Sequence, residues 1–421
     1  MLERLSLIAV LCSAVLVSGC GIAPPETPDA PSGPRAGDVG ESYAFTAKTY
    51  DRQNLPLRYQ FDWGVRGQME WSGYAPSGMP VTLSHAWRAA GVYQVRVRAE
   101  NVLGRQSEWS PYHLILIGSR QSGYPDSVIA TISTGSGSGP VGIDVTPDGR
   151  YLYVACRGQR LVKVYRTSDN SLVGSVTVGG GAYDVCILPN GEYAYVPNIS
   201  DRNVSVIRLS DNTVVATIPV SEDPVHCEAL SNSEYVYVSN HAGNVVSVIR
   251  TDDNEVVATV PVAAAPWCLA LNKEETHIYV SCSGSDRLAK IRTSDNTVIG
   301  YVTVHDGPEG ICMTPDGAYF YVACYGGTQD YVDIVSTRSD SVVASIPING
   351  RPCVVMTLPG GNYIYYAAHD SGKIGVISTE TREVVWSTGY FSGACYMAAT
   401  PDGSRVYLCG LHEDNVIVFG R

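Results

Sequence analysis

Apolar and polar residues alternate with a period of two along much of this chain, which is the pattern of half-buried β-strands. The first region that shows it contains three such segments, at residues 43–47, 57–63 and 91–99. Turns rich in Gly, Pro and Asp separate them, and the region is long enough for one antiparallel sandwich. We therefore predict a small β-sandwich over residues 35–118.

A second, longer region repeats itself every 42 residues. The turn sequence Arg-Thr-Ser-Asp-Asn at 166–170 recurs in closely similar form at 208–212, 250–254 and 292–296. Each unit contains an apolar strand, a Pro-Asp-Gly-type turn, a Tyr-rich strand, a third strand and a Val-rich fourth strand. Four strands in about 42 residues are typical of a β-propeller blade.

The number of blades follows from the starts of the repeats. There are seven, at Pro140, Ala182, Pro224, Pro266, Pro308, Pro352 and Ala394. The last unit ends before its fourth strand, whereas residues 126–132 copy the fourth-strand sequence of residues 212–218. We predict a propeller over residues 123–421 whose last blade is closed by the segment 126–133, which leaves no incomplete blade. The fold class is all-β, a seven-bladed β-propeller preceded by a small immunoglobulin-like β-sandwich.

The N-terminus predicts export. An apolar run from Leu5 to Val17 is too short to span a bilayer but has the length of a signal-peptide core, so residues 1–19 are assigned as a signal peptide. The segment Val17-Ser18-Gly19-Cys20 resembles the bacterial lipobox, which implies lipidation of Cys20 and a lipid-anchored protein of the outer membrane or cell surface. Residues 20–34 are rich in proline and predict a stiff stalk.

Composition narrows the choice of partners. The formal net charge is −12 and the sequence pI is about 5.1, and no run of Lys or Arg interrupts this acidic character. Such a surface repels a phosphate backbone, so nucleic acid is excluded as the expected partner.

Two families resemble parts of the chain. Phe61-Asp62-Trp63-Gly64, followed by His85-Ala86-Trp87 and Gly91-Val92-Tyr93, resembles polycystic-kidney-disease-type (PKD-like) immunoglobulin-fold modules over about residues 28–118. Residues 64–67 depart from that family's glycine-rich turn, so a fibronectin-type or other sandwich is an alternative. The second-strand sequences Tyr153-Val154-Ala155, Tyr195-Val196-Pro197-Asn198 and Tyr237-Val238-Ser239-Asn240 resemble the YVTN β-propeller repeats of surface-layer and envelope proteins over about residues 123–421.

Cysteine is abundant in the repeat region, which holds ten of the twelve cysteines. In an exported protein an even number of thiols favours disulfides, and buried free thiols are the alternative. Their spacing leads us to predict bridges between neighbouring blades and one within the last blade: Cys156–Cys186, Cys282–Cys312, Cys324–Cys353, Cys227–Cys268 and Cys395–Cys409. No Cys-x-x-Cys or Cys/His ligand spacing occurs, so no metal is expected.

Motifs of known chemistry are missing from the sequence. It contains no nucleophile-elbow, zinc-protease, dinucleotide-binding, haem-attachment or EF-hand motif, so it identifies no catalytic residue and no cofactor. Polar and aromatic residues nevertheless interrupt the apolar first strands, and they are candidates for a ligand site at the mouth of the central channel: Asp144, Asp184, His226, Glu228, Trp267, Glu309 and Tyr396. His226 beside Glu228 could serve as a base or ligand, or as a hydrogen-bonded strand residue.

Two function classes fit these observations. The first is a membrane-anchored binding or scaffold protein of the cell envelope, whose rigid propeller holds a protein, a glycan or a small ligand. The second is a propeller enzyme, lactonase-like, lyase-like or redox-related, with its site in the central channel. Repeat regularity, the stalk and the missing motifs favour the first.

Overall fold

The computed structural model describes residues 23–34, 36–38, 40–65, 67–88, 91–118, 124–389, 391 and 393–420. The predicted signal segment 1–19 and the predicted lipidation site Cys20 lie outside this range. Two compact units divide between Gln121 and Ser122. Every regular element among the described residues is a β-strand, as the all-β prediction requires. A search of these residues for a helix with the length and hydropathy of a membrane span found none.

The first unit is a two-sheet sandwich of seven strands: β1 (Ala36–Asp38), β2 (Ser42–Ala47), β3 (Leu57–Asp62), β4 (Met69–Trp71), β5 (Val81–Ala86), β6 (Gly91–Asn101) and β7 (His113–Gly118). One sheet has the order β1-β7-β6-β3-β4 and the other consists of β2 and β5. Burial alternates residue by residue along β3, as the period-two pattern predicts. The core is aromatic, with Phe45, Phe61, Trp63 and Trp87 packed at 5.1–6.2 Å between ring centroids.

The proline-rich segment before the sandwich is not a free stalk over its described part. Pro25, Pro28 and Pro31 recur every three residues and are buried. This spacing matches the three residues per turn of a polyproline helix, so one face of the segment is covered. The backbone N–H of Glu26 donates to Tyr50 O at 2.9 Å, and Ser32 forms a β-bridge with Thr46. In the described part of the stalk predicted for residues 20–34, Glu26 and Ser32 therefore hydrogen-bond to the sandwich.

The second unit contains seven four-stranded antiparallel sheets, the blades, each numbered by its place along the chain. Blades 1 to 3 contain β9 (Pro140–Val145), β10 (Tyr151–Cys156), β11 (Leu161–Arg166) and β12 (Leu172–Thr177); β13 (Cys186–Ile187), β14 (Tyr193–Asn198), β15 (Asn203–Arg208) and β16 (Thr213–Pro219); and β17 (Pro224–Ala229), β18 (Tyr235–Asn240), β19 (Val245–Arg250) and β20 (Glu255–Pro261).

Blades 4 to 6 repeat this order with β21 (Pro266–Leu271), β22 (His277–Cys282), β23 (Arg287–Arg292) and β24 (Thr297–Thr303); β25 (Pro308–Met313), β26 (Tyr319–Cys324), β27 (Asp330–Ser336) and β28 (Ser341–Ile348); and β29 (Pro352–Thr357), β30 (Tyr363–Ala368), β31 (Lys373–Ser378) and β32 (Glu383–Gly389). Blade 7 contains β33 (Ala394–Ala399), β34 (Arg405–Gly410), β35 (Asn415–Gly420) and, from the start of the unit, β8 (Ser127–Ser133).

The ring closes through this last sheet. Strand β8 pairs antiparallel with β35, with Ile132 opposite Val416 and Thr131 opposite Ile417. The side chain of Asp414 reinforces the junction by accepting hydrogen bonds from the backbone N–H groups of Gly137 and Gly139, at 2.7 and 2.8 Å. Both ends of the unit therefore lie in one blade, and neither leaves an unpaired partial sheet.

A buried tyrosine in the second strand of every blade fills the space between blades. The seven side chains are at most 2% exposed: Tyr153, Tyr195, Tyr237, Tyr279, Tyr321, Tyr365 and Tyr407. Several also reach the turn of the following blade, as in the bonds from the Tyr237 hydroxyl to Asn296 Oδ1 at 2.9 Å and from the Tyr195 hydroxyl to Asn254 Oδ1 at 2.7 Å. The repeated Tyr and Asn of the sequence therefore form a repeated link between blades.

Candidate functional site

The first strand of each blade lines a central channel. Each of these seven inner strands pairs on one side only, with the second strand of its own blade, and the inner strands of consecutive blades contact each other around the ring. All seven run in the same direction along the channel. We call the end where the inner strands begin the entry mouth, and the end where they finish the exit mouth.

Three of the predicted channel residues bind neighbouring blades together. Asp144 Oδ2 accepts a hydrogen bond from Ile187 N at 2.8 Å, and Asp184 Oδ2 accepts one from Cys227 N at 3.1 Å. In the same way His226 Nδ1 accepts one from Leu269 N at 3.4 Å. An inner strand has an unpaired edge toward the channel, and these side chains satisfy its backbone donors. Asp144, Asp184 and His226 therefore have a structural role that the sequence does not reveal.

Burial controls the protonation of this channel lining. It raises the pKa of Asp144 to about 6, that of Asp184 to about 7 and that of Glu228 to about 8, and repulsion from neighbouring carboxylates adds to the effect at Asp184 and Glu228. Burial also lowers the pKa of His226 to about 4, although its Nε2 lies 3.9 Å from Asp184 Oδ2. At neutral pH His226 is therefore uncharged and Glu228 is largely protonated, whereas Asp144 is largely ionised.

The entry mouth holds a cavity of about 140 Å³. Aromatic rings form much of its wall, with Trp267 and Tyr396 each edge-to-face against Tyr183, at 6.0 and 6.4 Å between centroids. The guanidinium of Arg157 lies 5.4 Å from the centre of the Tyr183 ring, and a second guanidinium, that of Arg351, also lines the cavity. The cavity thus combines an aromatic wall with two cations.

A hydrogen-bonded trio stands at one side of this cavity. The Tyr325 hydroxyl donates to Glu309 Oε1 at 2.7 Å, and Arg351 Nη2 donates to the Tyr325 oxygen at 2.9 Å. Arg351 also lies flat against the Tyr325 ring, 4.1 Å from its centroid. Burial raises the pKa of Glu309 to about 7, so this carboxyl exchanges its proton near neutrality. Such a group can donate or accept a proton during binding or catalysis.

Comparison with known proteins agrees with this architecture. The family model described as "Lactonase, 7-bladed beta-propeller" matches residues 142–300, and the PKD domain model matches residues 30–112. The chain therefore combines a β-sandwich that matches the PKD domain model with a seven-bladed β-propeller. Among solved structures, Kuenenia stuttgartiensis hydrazine synthase is similar with a TM-score of 0.63 and 18% identity, over 72% of this chain and 99% of that chain. At this identity the likeness shows the fold alone. No curated protein matches the sequence.

The propeller brings together only some of the predicted site residues. Trp267, Glu309 and Tyr396 line the entry-mouth cavity, and His226 stacks on Tyr396 from deeper in the channel, at 5.9 Å between ring centroids. Asp144 and Glu228 occupy the fifth positions of β9 and β17, toward the exit mouth. The predicted residues therefore divide between two ends of the channel and do not form one cluster.

Sequence reasoning missed the two arginines and Tyr325 because they lie in loops at the ends of strands. One signal in the repeat could have drawn attention to Arg351. The residue before each repeat start has a positive φ in all seven blades, and four of the seven are glycine: Gly139, Gly181, Asp223, Ala265, Gly307, Arg351 and Gly393. A side chain in this conformation costs about 1–2 kcal/mol, which glycine avoids. Arg351, at φ 62°, is the one cation at this position.

None of the five predicted disulfides is formed, because all ten cysteines of the propeller are free thiols. The disulfide prediction is therefore corrected. Cys156 packs between blades 7 and 1, whereas Cys186 packs between blades 2 and 3. A residue at the end of a second strand faces the preceding blade and a cysteine of the next inner strand faces the following one, so the two thiols point apart. The pairs Cys282–Cys312 and Cys324–Cys353 are separated in the same way. Cys227 packs between blades 2 and 3 and Cys268 between blades 4 and 5, so these two thiols also point apart. Cys395 and Cys409 both lie beside blade 1 and are unbridged.

Among the described residues, no group of three or more His, Cys, Asp or Glu side chains is placed to hold a metal ion. The entry mouth is suited to hold an organic ligand, because it has two cations, an aromatic wall and a carboxyl that titrates near neutrality.

Proposed function

We propose that this chain is a cell-envelope binding protein whose propeller holds a small organic anion in the entry mouth. The observation that carries the proposal is the pair of guanidinium groups, Arg157 and Arg351, on one aromatic cavity. Guanidinium binds carboxylates through paired, charge-assisted hydrogen bonds, which makes a carboxylate the favoured anionic group. The signal-like N-terminus with Cys20 supports the envelope location.

The charge of the cavity favours an anion even though the whole chain is acidic. No ion pair involves Arg157 among the residues that the structure describes. Arg351 is only partly compensated, because its nearest carboxylate oxygens, on Asp370 and Glu309, lie 3.7 and 3.9 Å away. Glu309 itself is largely protonated below about pH 7. The mouth therefore carries net positive charge at mildly acidic pH.

One donor of Arg351 is ready for a ligand. Its Nε is buried and has no hydrogen-bond acceptor among the described residues. A buried donor without a partner costs about 1–3 kcal/mol, and a ligand oxygen in the cavity would remove that cost. This unsatisfied donor is a sign that the side chain of Arg351 is placed for binding.

Size and lining restrict the ligand further. A cavity of about 140 Å³ is smaller than the roughly 300–1,000 Å³ of sites for drug-sized molecules. Trp267 and Tyr183 offer apolar faces suited to a short hydrocarbon or a small ring. We therefore expect a small carboxylic acid and not an oligosaccharide or a peptide.

A second candidate function is hydrolysis of a small lactone or ester. The match to the lactonase family model favours it, together with Glu309, whose pKa of about 7 suits a general base for water. In this alternative Arg351 would stabilise the oxyanion that forms as water attacks the carbonyl carbon. Turnover of lactone probes by the purified protein, lost in Glu309→Gln, would favour this function over binding alone.

The binding proposal can be tested by calorimetric titration of the full-length chain with a panel of small carboxylic acids and their uncharged amides. We expect saturable binding of at least one acid and none of its amide. Arg351→Gln should weaken binding about tenfold or more, because it removes a charge-assisted contact. Arg292→Gln is the matched control, since Arg292 pairs with Asp295 in an exposed turn and should bind normally. Equal binding of acid and amide, or normal binding by Arg351→Gln, would contradict the proposal.

A further inference from the structure

The exit mouth gathers all the methionines of the propeller. The chain has only six methionines, and the three within the propeller are Met313, Met356 and Met397. All three line one cavity of about 360 Å³ at this end of the channel. Because methionine is otherwise so scarce, its restriction to a single cavity calls for an explanation.

Three consecutive blades supply these side chains. Met313 ends β25 of blade 5, Met356 lies in β29 of blade 6 and Met397 lies in β33 of blade 7. The end of β29 is attached to the end of β25 by a hydrogen bond from Thr357 Oγ1 to Met313 O, at 2.8 Å. Met397 is 8% exposed, and the other two are half-buried. The three methionines therefore line one arc of the rim, where Met356 and Met397 also pack between blades 6 and 7 and Met313 packs between blades 4 and 5.

Packing alone does not require methionine here. The other inner strands that have an apolar side chain at the position of Met313 use aliphatic ones, such as Val145, Ile187 and Leu271. Branched aliphatic side chains fill a core with fewer rotamers to lose, whereas methionine adds a polarisable sulfur that can bind soft metal ions. Thioether ligands select copper(I) over harder cations.

A carboxyl group lies in the same cavity. Asp144 lines it from β9, the inner strand next to β33 around the ring. Both of its oxygens already accept backbone N–H groups, those of Val145 and Ile187, at 2.8 Å. Asp144 is therefore suited to add negative potential near a bound cation, while the methionines are the soft ligands in the lining.

We propose that the exit mouth is a binding site for copper(I), coordinated by the thioether sulfurs of Met313, Met356 and Met397. The site is separate from the anion cavity at the entry mouth and does not depend on the function proposed there. Three-coordinate thioether ligation suits a soft monovalent ion and needs no thiolate. The position at an open mouth gives the ion direct access from solvent.

The test is a titration of the full-length chain, labelled with 13C in the methionine methyl groups, with silver(I) as a redox-stable probe and then with copper(I) under anoxic conditions. We expect the methyl signals of the three exit-mouth methionines to shift together and to stop at a 1:1 ratio. The signals of Met69 and Met79, which are about half exposed in the PKD domain, should stay in place. Unchanged signals at the exit mouth would overturn the proposal.

Three variants distinguish silver(I) binding by the thioethers from silver(I) binding by a nearby thiol. Met356→Leu should weaken silver(I) binding about tenfold or more, as loss of a metal ligand does, while Met79→Leu should leave it unchanged. Cys312→Ser is the second comparison, because Cys312 is the neighbour of Met313 on β25 and could bind silver(I) as a thiolate. Loss of binding in Cys312→Ser with normal binding in Met356→Leu would assign the ion to a thiol and overturn the thioether site.

Discussion

Arg351 lies across the ring face of Tyr325 and donates a hydrogen bond to the hydroxyl of that same residue, at 2.9 Å. One residue enters blade 6 and the other leaves the second strand of blade 5, so the contact joins two blades at the rim of the channel. It places a guanidinium group beside Glu309, to which Tyr325 also donates. The candidate site is therefore built on a junction between blades.

The tight entry into blade 5 gives a first prediction. Gly307 has φ 60°, and a Cβ added to it would clash with the Tyr325 carbonyl oxygen. We expect Gly307→Ala to lower the free energy of unfolding by about 2–4 kcal/mol, because backbone strain and a steric clash add. Gly174→Ala is the control, since nothing lies within 4 Å of a Cβ there. Chemical denaturation measures both, and equal stability of the two variants would contradict the packing described for this junction.

The link between tyrosine and turn gives a second prediction. Tyr237→Phe removes the hydrogen bond to Asn296 Oδ1 and should cost about 1 kcal/mol of unfolding free energy. Tyr321 occupies the same position in blade 5, but its hydroxyl finds no turn amide among the described residues. Tyr321→Phe should therefore be nearly neutral. If both variants lost the same unfolding free energy in denaturant titrations, the loss would come from removing a hydroxyl group and not from breaking the hydrogen bond to Asn296.

The carboxyl groups of the channel predict how stability changes with pH. Burial raises the pKa of Asp184 and Glu309 to about 7 and that of Glu228 to about 8, so the folded chain keeps protons that the unfolded chain has released. Stability from a raised pKa is lost as the pH rises through the folded value. Each group lowers the free energy of unfolding between its unfolded pKa, near 4, and its folded pKa, by up to about 1.4 kcal/mol per pH unit. We therefore expect the free energy of unfolding to be still falling at pH 6.5 and to level off just above pH 8.

A variant checks which groups are responsible for this slope. Glu228→Gln removes the carboxyl with the highest pKa and should flatten the upper part of the curve. The lowered pKa of His226 acts in the opposite sense, but only from about pH 4 to 6.5, so it leaves the alkaline window unaffected. Thermal unfolding measured at several pH values gives the slope. A stability that is constant or rises from pH 6.5 to 8.5 would show that these carboxyls are not protonated in the folded chain.

Ligand affinity should follow the ionisation of Glu309. Above about pH 7 this group becomes a carboxylate beside Arg351 and competes with an anionic ligand for the guanidinium. We expect the affinity for a small carboxylic acid to fall as the pH rises through 7 in the wild-type chain. In Glu309→Gln, where no charge develops, the affinity should stay nearly constant. Calorimetry at pH 6 and pH 8 distinguishes the two, and parallel curves for both chains would exclude Glu309 from the site.

Most of the fold could be predicted because its determinants are local. A turn needs Asn, Asp or Gly at particular positions, and a half-buried strand needs alternating apolar and polar side chains. The signals for the strands and turns of each blade therefore lie within its own repeat. The repeat also predicted the number of blades. Seven repeat units begin between residues 140 and 394, and residues 126–132, which resemble the fourth strands of the other blades, complete the last one. The resemblance of the sandwich to PKD modules was recognisable for the same reason, from the motifs around Trp63 and Trp87.

The site was less predictable because it depends on contacts between blades. Trp267, Glu309 and Tyr396 stood out as breaks in apolar strands, and they do meet at the entry mouth. Arg351 and Tyr325 lie in loops, and only the closed ring places them beside Glu309. The disulfide prediction was wrong for the same reason: spacing along the repeat indicates neighbouring blades but not which face of a blade a thiol occupies.

The central claim is that the entry mouth binds a small organic anion between its two guanidinium groups. A crystal structure of the full-length chain, grown with the carboxylic acid that calorimetry shows to bind most tightly, tests it most directly. We predict density for the carboxylate in the cavity lined by Arg157, Arg351 and Trp267, with an oxygen in hydrogen-bonding range of Arg351 Nε. An acid bound elsewhere on the protein, with the entry mouth holding only water, would contradict the claim.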